Sequence, residues 1–438
     1  MNVQTFLDFC YGMVWGKGTV FLLVGAGLIL LAAARLYPLR HPSEIIKKTI
    51  FSAKSTNEEI SQFDAMATAL GGTMGVGNII GVAAALAIGG EGALFWLWAA
   101  GVCGLMLKYG EVFLAVKYRQ YSNDGWLGGP MYYIKYGMGS PALAVLFAAC
   151  CITGSFGMGN MAQANAAVNC LYELSGISEY ILSVIICALT TLVIFGGMKR
   201  IVKVSSFAVP LMSALYLGGA LVILFMQHEH LPKAIETIFK GAFGIKAAGG
   251  ASAAIMWQAV QAGITKGIFT NEAGLGSASI AHACAGECDP HKQGLWGMFE
   301  VFADTLLVCT LTGLVIITSG IKYSDMSAAT VTAAAFSAVL GNVGGVIVQL
   351  SVVFFAFASM LSWCLYGERC IRFLGGNKKV ITVYRSFFVL AAAAGGVVKL
   401  ELVWKLSDIL NGLMLFPNLL AVCLLSPMFL ASFKKCNE

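Results

Sequence analysis

Apolar runs of about 20 residues recur along the whole chain, spaced by short polar stretches, and each is long enough to cross a bilayer as a helix. Eleven are read, at residues 15–37, 63–88, 93–117, 141–171, 178–198, 203–226, 252–284, 294–319, 345–370, 380–399 and 405–431. Backbone polar groups cannot stay unpaired in lipid, so these runs are expected to be helices rather than open strands. Two of them carry their own interruption. The second run contains GGTMGVGN, residues 71–78, and the seventh contains GITKGIFTNEAGLGS, residues 263–277. Glycine disfavours helix, and irregular backbone at membrane depth is tolerated only where it is buried in protein or lines a cavity.

Five runs separate the starts of these two segments, and five is odd, so the segments run in opposite directions. Residues 60–226 and 250–431 then read as two five-helix units of inverted topology, preceded by 15–37 as one extra helix. Interrupted segments at matching positions of two halves point to the central site of a secondary transporter. A broken helix frees N–H groups at a positive dipole end, which suits a carboxylate, and carbonyls, which suit a dehydrated small cation. Gly101, Gly104, Gly218 and Gly219 read instead as close-packing positions between helices. The two interruptions differ from these because Thr73 and Asn78, or Thr265, Lys266, Thr270, Asn271 and Glu272, accompany the glycines. Polar groups at that depth need partners.

Composition agrees with the pattern. Hydrophobic residues make up 58% of 438 and charged residues 11%, against about 25% charged in a typical soluble domain. The formal charge of +6 is no nucleic-acid footprint, because its distribution follows the spans. Nineteen of the 28 Lys and Arg fall on one side, including Arg35, Arg40, Lys47, Lys48, Lys54, Lys117, Arg119, Lys199, Arg200, Lys203, Arg369, Arg372, Lys378, Lys379, Lys434 and Lys435. Seven fall on the other: Lys17, Lys233, Lys240, Lys246, Lys322, Lys399 and Lys405; Lys108 and Lys266 lie within spans. The positive-inside rule then puts the N-terminus outside and the C-terminus in the cytoplasm, as an odd span count requires. No basic region precedes the first run, which is expected to persist as a span and not as a cleaved signal. The thirteen cysteines are scattered, form no C-x-x-C pair and read mostly as buried thiols.

At this point the strings ALGGTMGVGNIIGVAAALAIGGEGALFWLW (69–98), GGPMYYI (128–134), GMGNMAQAN (157–165), KGIFTNEAGLGSASIAHA (266–283) and QGLWGMFEVFADTLLVCTLTGLVI (293–316) resemble the alanine/glycine:cation symporter family. The resemblance runs collinearly from about residue 60 to 370. It implies an all-α integral membrane protein of LeuT-type fold, with a 5+5 inverted repeat, two discontinuous helices and one extra N-terminal helix. It further implies sodium-coupled uptake of a small neutral amino acid, alanine or glycine, across a prokaryotic cytoplasmic membrane. The proton-coupled variant is the alternative, since Asp64, Glu272 and Asp304 can each titrate. Sodium is the coupling ion and no cofactor is expected; beyond lipid, no protein partner is evident. Two positions depart from the family pattern: Glu91 stands where proline is common, and Ser359 where threonine is usual.

Within this frame the first break supplies Thr73, Gly75, Gly77 and Asn78 as substrate-site candidates, with backbone contacts to the substrate carboxylate. Gln163 and Phe156 in the fourth span join them, Gln163 as a site residue by its motif and Phe156 as a ring limiting substrate size. At the second break Thr270 or Asn271 is expected to face ligand, while Glu272 reads as a scaffold accepting N–H bonds from its own broken helix, or as an ion ligand. Ser359 and Ser362 lie three apart on one helical face; with Gly72 and Thr73 they form the candidate sodium site, and Trp363 caps the pocket. Asp64 reads as a helix cap or an inner gate, and Lys108–Glu111 as a neutralising pair. Two rival chemistries are weaker. His282, Cys284, Cys288 and His291 border on zinc spacing, and Ser277 with His282 superficially resembles a protease pair, but neither G-x-S-x-G nor H-E-x-x-H occurs. No channel filter motif is evident.

Overall fold

The computed structural model describes residues 3–52, 60–122, 125–244, 252–286, 288–398 and 400–434. Lys54, Lys246, Lys399 and Lys435 of the charge argument lie outside them. Short helices at Tyr37–Arg40, Pro42–Lys48 and Pro130–Tyr136 aside, the helices in chain order are α1 (Val3–Val14), α2 (Lys17–Ala33), α3 (Gln62–Thr73), α4 (Ile80–Gly89), α5 (Gly92–Lys117), α6 (Pro141–Phe156), α7 (Ala162–Ser175), α8 (Glu179–Ile194), α9 (Met198–Met226) and α10 (Leu231–Ala242). There follow α11 (Ser252–Asn271), α12 (Ser279–His282), α13 (Pro290–Val301), α14 (Thr310–Thr318), α15 (Ala328–Leu340), α16 (Asn342–Phe373), α17 (Lys378–Val397), α18 (Leu400–Leu424) and α19 (Ser426–Lys434). A small antiparallel hairpin, β1 (Gln120–Ser122) and β2 (Gly125–Leu127), follows α5.

Seven helical stretches of the described chain are long and apolar enough to span, and Asp408–Leu424 with Ser426–Phe433 forms an eighth path bent by 55°. The shorter α8 and the two broken segments α3–α4 and α11–α12 bring this into accord with eleven crossings. Several boundaries move. The first span begins earlier, as the apolar stretch Thr5–Ala33, and ends where Arg35 and Leu36 take φ of 54° and 58°. It is anchored to the last span by the Trp15 indole, which donates to the Asp408 carbonyl at 2.8 Å. The second half of span seven is a single turn, because Glu272 (φ 53°), Gly274 (φ 93°) and Gly276 (φ 80°) turn the chain left-handed there. The bend before α19 has Pro427 at its second position, where the missing N–H costs nothing.

Two helices not read from the sequence lie on the cation-poor face. Helix α10 buries Ala234, Ile238 and Ala242, four apart, against the start of α5, and α15 buries Val331, Thr332, Ala335 and Phe336. Spans four and eight also carry wide turns: π-helical segments at Gly157–Met161 and Phe302–Cys309, a distortion that clusters at functional sites.

Small residues bring the broken helices close to their neighbours. A Cβ at Gly267 of α11 would stand 2.8 Å from the Ala100 Cβ of α5, and one at Gly27 of α2 would stand 2.6 Å from the Cys103 Cβ. With no hydrophobic drive between helices in lipid, such approach supplies the van der Waals packing. Gly101 and Gly104 act likewise, against Thr305 and Ala273, and Gly219 against Ile347. Gly218, read as packing, has nothing near enough to meet a Cβ.

Candidate functional site

Helix α3 starts on a capping box: the Asp64 N–H donates to Ser61 Oγ at 3.0 Å, and the Ser61 N–H and hydroxyl donate back to Asp64 Oδ2 at 3.2 and 2.8 Å. Asp64 is therefore part of the cap. The helix stops after Thr73, and a single 3₁₀ turn, Val76–Asn78, joins it to α4. The Val76 N–H freed by the break donates to Gln163 Oε1 at 3.2 Å, and Gln163 Nε2 donates to the Met158 carbonyl at 3.1 Å. Gln163 thus holds the break open from the π-helical turn of span four. Gly75 faces that amide, with a Cβ there 3.1 Å from Gln163 Oε1. Asn78 turns toward span eight, its Nδ2 donating to Asp304 Oδ1 at 2.7 Å. Its own Oδ1 is buried without a hydrogen bond.

The second break lies against the first. A Cβ at Gly77 would stand 3.1 Å from Thr270 Cγ2 and 3.3 Å from Phe269. Thr270 donates to the Gly267 carbonyl at 2.7 Å, and Asn271 Oδ1 accepts the Ala273 N–H at 2.9 Å, leaving the buried Asn271 Nδ2 without a partner. Both amide orientations are fixed by their bonded ends, so one break presents an acceptor and the other a donor. Glu272 does not take the N–H groups of its own helix. Its carboxylate accepts the Trp363 indole N–H at 3.1 Å and the Ser277 hydroxyl. The freed Gly274 N–H goes instead to Glu111, at 2.7 Å, and Asn418 Nδ2 bridges Glu111 and the Gly274 carbonyl at 2.7 and 2.8 Å. Lys108 pairs with Glu300 at 3.3 Å, not with Glu111. Burying a carboxylate without a direct ion pair demands such donors.

Ser359 and Ser362 project from α16 onto the carbonyls of α3, donating to Gly72 O at 3.2 Å and Thr68 O at 2.7 Å. Gly72 O is one of the last carbonyls of α3, which lack intrahelical partners, and Thr68 O lies one turn earlier, so two serine–carbonyl pairs line the last turns of α3. That donor set suits a hard cation. Thr68 joins it without a sequence signal. Thr73 is buried but its hydroxyl turns back to Ala69 and Leu70, at 3.4 and 3.3 Å. Trp363 is wholly buried, stacked into the space left by Gly159. Phe156 is not brought to the breaks: it packs on Tyr384 and Phe388 of α17, with ring centroids at 5.5 and 5.9 Å.

Just beyond the first break, on the cation-poor face, opens a cavity of about 580 Å³ lined by Ile80, Gly81, Ala84, Lys266, Ala328 and Asp408 among others. Lys266 and Asp408 close to 3.4 Å across it, and Thr332 of α15 reaches the Ile79 carbonyl at 3.2 Å. Sequence reasoning missed this pairing, as its partners lie far apart in the chain. In the turn before α15 Tyr323 carries a hydroxyl whose pKa is raised by burial and then by Glu91. The zinc-like quartet does not converge. His282 is held by Glu300 and Gln293, at 2.8 Å each, while His291 meets the Tyr109 hydroxyl at 2.7 Å.

The chain matches the model of the sodium:alanine symporter family over residues 1–438. It is 39% identical over 452 residues to the sodium/alanine symporter AgcS of Methanococcus maripaludis, covering 100% of this chain and 98% of that one. It is 35% identical over 426 residues to the probable sodium/glutamine symporter GlnT of Bacillus subtilis, covering 96% and 88%. Among solved structures, MhsT in complex with L-phenylalanine superposes with a TM-score of 0.58 at 13% identity, over 85% of this chain and 98% of MhsT, which fixes the LeuT-type fold. Two opposed helix breaks on that fold, with full-length matches, establish that the chain is a multi-pass membrane transporter, not an enzyme, and belongs to the sodium:alanine symporter family.

Proposed function

We propose that this protein is a sodium-coupled symporter that carries a small neutral amino acid, alanine or glycine, into the cytoplasm, with its N-terminus outside and its C-terminus inside. Residues 60–226 and 250–431 act as its two repeats. The observation that carries the reading is the contact of the two breaks; each break also bears one buried amide atom without a partner, Asn78 Oδ1 as an acceptor and Asn271 Nδ2 as a donor. A zwitterion needs both. Its carboxylate takes Asn271 Nδ2 and freed N–H groups, and its ammonium takes Asn78 Oδ1 and freed carbonyls.

Sodium takes the oxygens of Gly72, Thr68, Ser359 and Ser362, which ties α16 to the end of α3 and orders the first break. Gly75, Gly77 and Thr73 form the bare floor on which the substrate backbone lies. Gln163 and Glu272 act one step away, by fixing Val76 and Trp363. The buried Trp363 leaves room for little more than a methyl side chain. The 580 Å³ cavity is the outer entry, and the Lys266–Asp408 pair narrows it. Rocking of one helix bundle against the other then opens the inner side. Proton coupling is the second reading, favoured by Asp304 and Glu272, whose side-chain hydrogen bonds among the described residues come from neutral donors and not from cations.

Counterflow of labelled alanine into proteoliposomes, with and without an inward sodium gradient, tests the proposal. Uptake that follows the sodium gradient supports it. Uptake that ignores sodium and follows a proton gradient favours the second reading.

A further inference from the structure

On the cation-rich face, about two turns beyond Ser362 along α16, four chain segments surround a cavity of about 690 Å³. The start of α9 with the Gly196–Gly197 loop, the end of α16, the start of α17 and the β-hairpin all contribute. Its lining holds Arg369, Lys378 and Arg385 with one carboxylate, Glu368, among the described residues; Lys199 and Arg372 also line it, each with a further partner of its own. That carboxylate is already engaged: Arg385 Nε and Nη2 both donate to Glu368 Oε2, at 3.2 and 2.6 Å. Cations gather on this face in any membrane protein that obeys the positive-inside rule, but scattered headgroup contacts do not bury an arginine.

Arg369 is the distinguishing feature. It is 2% exposed and forms no ion pair among the described residues. One of its terminal nitrogens meets the Met198 sulfur, and its Nε is buried without a hydrogen bond. A buried guanidinium without an anion is costly, and five rigid donors in a fork match phosphate oxygens. The N-terminus of α9, a helix of 29 residues, opens into the same cavity, with Gly197 at its cap. Its first N–H groups lack intrahelical partners and lie at a positive dipole end.

From this we infer that the cavity between α9, α16 and α17 is a binding site for a phosphate-bearing anion, the headgroup phosphate of an anionic phospholipid or a free phosphate. Basic pockets between transmembrane helices take such headgroups. The cavity joins α9 of the first half to α16 and α17 of the second, so an occupant ties the two together. The site stands apart from the transport centre and does not depend on which amino acid or ion is carried.

The test is thermal unfolding of the full-length protein in an uncharged detergent, titrated with dioleoylphosphatidylglycerol or dioleoylphosphatidylcholine, and separately with inorganic phosphate or chloride at matched ionic strength. The phosphatidylglycerol arm is expected to raise the melting temperature where phosphatidylcholine does not. Lys199 and Lys378 are exposed on the rim, so the Lys199→Gln/Lys378→Gln variant will fold. At about fivefold per cation near an anionic surface, it is expected to weaken the apparent affinity roughly 25-fold. Arg369→Gln is expected to abolish the effect. Stabilisation by inorganic phosphate beyond chloride, with the same dependence on the variants, identifies a free phosphate as the ligand. Equal responses to both lipids and to both salts, or equal responses of the parent and the rim variant, overturn the assignment.

Discussion

Removing the Ser362 hydroxyl separates a structural role from an ion-binding one. Ser362→Ala deletes an oxygen that donates to the Thr68 carbonyl at 2.7 Å. As an interhelical bond in a membrane it contributes on the order of 0.6 kcal/mol to stability, so the melting temperature will fall only slightly. As a ligand to a buried cation it contributes as a bond to a charged group does, roughly 1.5–3 kcal/mol. At about 1.4 kcal/mol per decade, that raises the half-saturating sodium concentration roughly ten- to hundredfold. Ser359→Ala acts in the same direction, since that hydroxyl lies 3.2 Å from the Gly72 carbonyl, and Ser362→Thr, which keeps the oxygen, restores the parent value. The assay is initial alanine uptake into proteoliposomes against sodium concentration, beside thermal unfolding of the same preparations. An unchanged sodium half-saturation in Ser362→Ala, with protein folded and active, refutes the assignment of α16 hydroxyls to the ion.

The contact between the breaks predicts that Gly77→Ala, whose methyl group would stand 3.1 Å from Thr270 Cγ2, overpacks the site at about 1–3 kcal/mol and slows uptake. Thr270→Ser in the same chain removes the opposing methyl and is expected to recover most of that loss in uptake and melting temperature. Across the outer cavity, Lys266→Met leaves Asp408 buried at 7% side-chain exposure without its cation and is expected to destabilise by about 3–5 kcal/mol. Lys266→Met/Asp408→Asn regains stability, read by thermal unfolding; a double variant no better than the single contradicts the pairing. Glu272→Gln keeps an acceptor for the Trp363 indole, so sodium-driven uptake is expected to survive at a reduced rate. Its complete loss in folded protein points to ionisation of Glu272 as part of the cycle.

The backbone plan was legible because it rests on composition. Apolar runs give the spans, and glycines beside Thr73, Asn78, Asn271 and Glu272 give the breaks, since no packing role explains a carboxylate there. Side-chain partners were less legible, because they depend on register between helices. Lys108 and Glu111, three apart on α5, suggest each other, yet Lys108 reaches Glu300 and Glu111 reaches the Gly274 N–H and Asn418. Phe156 lies in the same span as Gln163, but the π-helical turn that begins at Gly157 shifts the register between them, and the ring ends on α17. Such a turn has no signature in residue type. Thr332 escaped notice because α15 is too short to register as a span, and its contact with the Ile79 carbonyl exists only once the chain has folded back over the first break.

The central claim is that two abutting helix breaks hold an amino acid and a sodium ion together, and equilibrium binding of tritiated alanine to the purified protein tests it without a membrane or a gradient. The account predicts tight binding in sodium that is lost in potassium or choline and in Ser359→Ala/Ser362→Ala. Equal alanine binding in sodium and in choline contradicts it.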